Sequence, residues 1–63
     1  MTNFEIMEML ETAFMDACKK LHKRVKTVSN KDLNEIYLPI MAELLDETVE
    51  DIVKMAKACG WMK

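Results

Sequence analysis

Cys18 and His22 stand four residues apart, a spacing that puts two side chains on one face of a helix and matches half of a zinc site. A zinc site needs three or four ligands, and Cys59 is the one further thiol in the 63 residues. That leaves at most three ligands, the third far along the chain, so the cysteines are expected to pack as small apolar residues and His22 to lie on the surface. Carboxylates are plentiful, but none stands in an apolar context beside a histidine or a second carboxylate that would tune it for acid–base work. A phosphate-cradling glycine loop and a nucleophile motif are also missing, and Gly60 is the single glycine. The expectation is a protein that is not an enzyme and uses no metal and no cofactor. Its chemistry would be that of its surfaces.

Charge is the first feature of those surfaces. The net charge is only −2, yet its sign changes in blocks. Residues 1–18 carry four acids and no base, and residues 19–31 carry six bases and no acid. Residues 32–53 carry seven acids and no base, and residues 54–63 carry three lysines and no acid. The basic run Lys19, Lys20, Lys23, Arg24 and Lys26 could neutralise several phosphates, which makes it the candidate nucleic-acid contact. No aromatic residue interleaves with it, so stacking on single-stranded bases is not expected. Glu43, Glu47, Glu50 and Asp51 form an acidic cluster suited to docking a basic partner protein. Acids at the front of a helix and bases at its back also suit the helix macrodipole in a chain with no partner at all.

The span 40–55 resembles a helix-turn-helix, with Ala42, Leu45, Ile52 and Met55 at spacings like the buried positions of that motif. The resemblance implies a DNA-binding regulator. It departs from the pattern at Asp46, where the turn's glycine is usual. The would-be recognition helix also opens on Glu47, Glu50 and Asp51, which phosphates would repel. A corner used only structurally fits those residues better.

These residues are positioned by what reads as three helices, an all-α single domain over residues 1–63. Thr2 with Glu5 has the capping-box spacing and opens a long amphipathic helix from residue 3 to about residue 27. Met7, Leu10, Phe14, Ala17, Leu21 and Val28 form its apolar stripe. Ser29 with Asp32 opens a second helix, kinked or broken at Pro39, because proline removes a hydrogen bond and crowds the carbonyl four residues back. Thr48 with Asp51 opens a third, which Gly60 closes in a left-handed cap, with Trp61 able to fold back over its last turn.

A single core in so short a chain supplies only about 3–5 kcal/mol. Two cysteines make no disulfide framework, so a second subunit is the expected supplement. The apolar arc of the first helix is wider than one packed neighbour needs, and seven methionines suit an adaptable interface. A homodimer is expected, with first helices packed antiparallel about a two-fold axis near Phe14 and Met15. Phe4, Met7, Leu10, Phe14, Met15, Cys18, Leu21 and Val25 would form the seam. Antiparallel packing sets the acidic front of one helix against the basic back of the other. Neither a signal peptide nor a run of ~20 apolar residues is visible, which points to the cytoplasm and away from membranes. The leading expectation is a small accessory, regulatory or inhibitory protein that binds another protein. In style it resembles many small products of bacterial phages and mobile elements.

Overall fold

A computed structural model of the chain describes residues 2–21 and 28–62. Its three helices pack on one another, and no strand is present among the described residues. The first helix, α1, is Asn3–Lys20. The capping box forms as its spacing requires: Glu5 N–H donates to Thr2 Oγ1 at 3.2 Å, and Thr2 N–H donates to Glu5 Oε1 at 3.4 Å. The helix has 18 residues and ends with Leu21 as its C-cap, at φ −92° and ψ 0°. It is therefore about 27 Å long at 1.5 Å per residue, shorter than the expected run to residue 27. His22, Lys23, Arg24, Val25, Lys26 and Thr27 lie outside the described residues.

The second helix, α2, covers residues 30–44 in three parts. Ser29 caps an α-turn, Asn30–Asp32, by accepting from Asp32 N–H at 3.2 Å. A π-helical turn, Leu33–Tyr37, follows, in which Leu38 N–H donates back to the Leu33 carbonyl. The α-helical Leu38–Leu44 completes the element, with Pro39 in its first turn. The irregularity expected at Pro39 thus takes the form of a widened turn just ahead of it. Backbone angles stay in the right-handed helical region at Asp32, Leu33, Tyr37 and Leu38, so the chain passes the proline without leaving the helix.

The corner after α2 is a Schellman turn: Glu47 N–H donates to the Ala42 carbonyl at 2.8 Å, and Asp46 N–H to the Glu43 carbonyl at 3.2 Å. Its left-handed position is Asp46, at φ +55°. Thr48 then caps the third helix, α3, Val49–Cys59, by accepting from Asp51 N–H at 3.1 Å. Gly60 ends it at φ +89°, and Met62 N–H returns to the Ala56 carbonyl. This turns the C-terminal residues back over the helix.

The core draws on all three helices: Leu10, Ala13, Phe14, Ala17 and Cys18 from α1, Tyr37, Leu38, Met41 and Ala42 from α2, and Ile52, Ala56 and Cys59 from α3. Three rings meet at its centre. Phe14 lies 5.4 Å from Tyr37 and 5.8 Å, edge-on, from Trp61, distances that favour aromatic contact. Trp61 Nε1 donates to Glu11 Oε2 at 2.8 Å, which ties the folded-back tail to α1.

Candidate functional site

The buried apolar residues of α1 occupy one arc of the helix, and a second apolar row runs beside them. At about 100° per residue, Phe4 and Met15 fall together on a flank next to that arc, while Met7 lies on the arc itself, between Phe14 and Cys18, and is exposed near the start of the helix. They remain exposed: Phe4 by 72% and Met15 by 47%. Of the eight seam candidates, Leu10, Phe14 and Cys18 are consumed by the chain's own core and Leu21 is half-buried against it. Val25 lies outside the described residues. The surface of the expected seam is therefore Phe4, Met7 and Met15, bordered by the exposed Glu8, Glu11 and Lys19.

The opposite flank of α1 forms a wall of an open groove of about 440 Å³. Met9 and Ala13 of α1 make its floor with Leu44 and Leu45 from the end of α2, while Glu5, Glu8 and Asp16 edge it. Leu44 is 39% exposed within it. Spacing along the chain does not reveal this groove, because it arises only when the end of α2 is laid against the middle of α1. A second cleft, of about 580 Å³, includes Phe14, Leu33, Asn34, Val53, Lys57 and Trp61 in its lining.

Of the nucleic-acid candidates, Lys19 and Lys20 are exposed on the last turn of α1, and Lys23, Arg24 and Lys26 lie outside the described residues. All four acids of the docking cluster are exposed. Glu43 and Glu47 flank the corner after α2; Glu50 and Asp51 sit on the first turn of α3, with Glu50 paired to Lys54 at 3.6 Å. In the helix-turn-helix-like span, Ala42 and Ile52 are buried and Leu45 and Met55 half-buried, while the acids at the start of α3 face solvent.

No group of three or more His, Cys, Asp or Glu side chains able to hold a metal ion occurs among the described residues. Cys18 and Cys59 are buried, unpaired thiols, and Cys59 Sγ donates weakly to the Ala56 carbonyl at 3.6 Å. Tyr37 is buried to its hydroxyl, which has no well-formed hydrogen bond among the described residues. The Cys18 thiol is its close polar neighbour. Burial pushes both the thiol and the phenol above their ordinary ionisation range, and for Tyr37 the Cys18 side chain adds to the rise.

No protein-family model matches the chain, and no curated protein or solved structure matches it either.

Proposed function

We propose that the protein is a small, non-enzymatic protein–protein interaction module of the cytosol, an accessory, regulatory or inhibitory subunit that acts as a homodimer through α1. The observation that carries this is the exposed apolar surface of Phe4 and Met15 beside the buried face of α1, continued by Met7 at the exposed N-terminal end of that face. A fully buried side chain of this size gains roughly 1.5–3 kcal/mol, so covering this surface on two copies is a large stabilisation that one chain alone forgoes. The surface is framed by charge that favours one orientation. Phe14 lies inside the core, which leaves Met15 as the residue at the two-fold axis. Residues four before and four after the axis then lie opposite each other, so Glu11 of one copy meets Lys19 of the other. Parallel packing would set like charges side by side.

Cross-linking tests the geometry, with Met15→Cys and Phe4→Cys as the two probes. An antiparallel pair centred on Met15 brings the Met15→Cys thiols together and keeps the Phe4→Cys thiols a helix length apart. Under mild oxidation only Met15→Cys should run as a covalent dimer on a non-reducing gel. Cross-linking at both positions would mean a parallel pair, and at neither would remove the interface.

A second function is favoured by the tight corner between α2 and α3 and by the exposed Lys19 and Lys20: a DNA-binding transcriptional regulator. Glu47, Glu50 and Asp51, exposed where the recognition helix would meet phosphate, weigh against it. Gel shift with duplex DNA at several salt concentrations separates the two. A salt-sensitive complex would favour the regulator, and no shift at low salt would exclude it.

A further inference from the structure

We infer that the groove between α1 and the end of α2 binds a basic amphipathic helix from a different protein. This rests on the interaction-module function proposed above and names the chemistry of its partner; the surface lies on the other flank of α1 from the Met15 row. Its floor is apolar, made by Met9, Ala13, Leu44 and Leu45. Leu44 is exposed there, as Ile36 is elsewhere on the same helix, whereas Tyr37, Leu38 and Met41 are buried. An exposed leucine beside Met9 is a surface that water solvates poorly.

The edge of the groove selects the sign of the occupant. Its ionisable residues are Glu5, Glu8 and Asp16, all acidic. Further exposed acids, Glu43, Asp46 and Glu47, bracket Leu44 and Leu45 in the chain. Glu5 is held by its capping bonds to Thr2 and keeps its charge in place. Lysine or arginine side chains, with long apolar stems and a cationic tip, can cover such a floor and reach such a rim together.

The length of the groove selects the shape. From Glu5 to Asp16 is eleven residues of helix, about 16 Å. That accommodates about three turns of a second helix laid alongside, with apolar anchors at i, i+3 or i+4, and i+7. Both walls are helical, so an extended strand would find no sheet edge to pair with. A helix-in-groove contact satisfies its own backbone and needs only side-chain complementarity.

The test uses the full chain and a fluorescein-labelled 14-residue peptide with leucines on one helical face and lysines flanking it. A control peptide has the same composition with the leucines scattered around the helix. Anisotropy is read at about 0.15 M salt, where screening acts beyond about 8 Å. The amphipathic peptide should bind, and the scattered control at least about tenfold more weakly. Leu44→Asp should weaken binding by about tenfold or more, as loss of a central apolar anchor does. Asp16→Lys, on the rim and away from the Met15 row, should weaken it severalfold. Because both residues are exposed, circular dichroism should show unchanged helix content. Met15→Lys should leave binding unchanged, so failure of the dimer and failure of the groove are told apart. Equal binding of the two peptides would reduce the surface to bulk charge and overturn the inference. So would binding indifferent to Leu44→Asp. If Leu44→Asp instead converts a dimer of the chain to monomer, the occupant is a second copy and the basic-helix partner is wrong.

Discussion

α1 presents two apolar rows of similar composition, one of which is buried and one of which is not. Leu10, Ala13, Phe14 and Ala17 are enclosed by α2 and α3, whereas Phe4 and Met15, one step around the same helix, face solvent, as does Met7 at the start of the inner row. Residue type does not separate them, since a phenylalanine stands in each. What separates them is the reach of the other two helices. α2 and α3 pack against one side of α1, and the folded-back Trp61 extends the cover to Glu11 and Phe14. Apolar periodicity thus defines where a helix can be buried, while the size of its neighbours decides how much of it is. What is left over is exposed apolar surface.

The difference between the rows can be measured by breaking each. Leu10→Ala in the inner row should cost about 2–5 kcal/mol, since it removes a wholly buried side chain and leaves a void among all three helices. Urea unfolding would read this as a lower midpoint with little change in slope. Phe4→Ser in the outer row should alter the stability of the isolated chain by no more than about 0.5 kcal/mol at dilute concentration. A cost near that of Leu10→Ala would mean that the outer row is buried within the monomer after all.

Smaller effects probe how the inner row is enclosed. Asp46 holds a left-handed conformation that L-residues adopt at a cost of roughly 1–2 kcal/mol, so Asp46→Gly should stabilise the chain by about 1 kcal/mol in thermal or urea unfolding. Thr48→Ala, which removes the cap of α3, should destabilise it by about 1 kcal/mol. The core also carries a pH signature. In the unfolded chain a thiol and a phenol ionise near 9.0 and 10.0, while burial holds Cys18 and Tyr37 protonated to higher pH. Above pH 9 the unfolded chain therefore binds fewer protons than the folded one, and stability should fall as pH rises. Tyr37→Phe should flatten that fall. It should also be neutral or stabilising at pH 7, because the hydroxyl it removes has no well-formed hydrogen bond among the described residues. A strongly destabilised Tyr37→Phe would show that the hydroxyl is satisfied.

Features made by nearest neighbours are legible in the residues themselves. Thr2 with Glu5, Ser29 with Asp32, and Thr48 with Asp51 each form the cap that their spacing announces, because a cap is a contact between residues three apart. Gly60 closes α3 for the same local reason. Pro39 marks the disturbed stretch of α2, but a hydrogen bond between residues five apart has no distinctive residue pattern, so the π-turn itself leaves no sign in the sequence. The left-handed turn at Asp46 is equally hidden, because a glycine is the usual sign of that geometry. The division of α1 into an inner and an outer row, and the groove beside Leu44, depend on where α2 and α3 come to rest. Those are tertiary facts, and charge blocks and periodicity along one helix do not contain them. The end of α1 at Lys20 is masked in the sequence by an apolar stripe that continues through Leu21 to Val28.

Whether the outer row is a dimer seam can be read from sedimentation equilibrium of the full chain from 1 to 100 µM at about 0.15 M salt. The expected result is a mass that rises with concentration towards twice the 7.3 kDa of one chain, and that Met15→Lys returns to the single-chain value while its circular dichroism is unchanged. A single-chain mass across the whole range would contradict the seam, and the charge gradient along α1 would then need no explanation beyond the helix's own dipole.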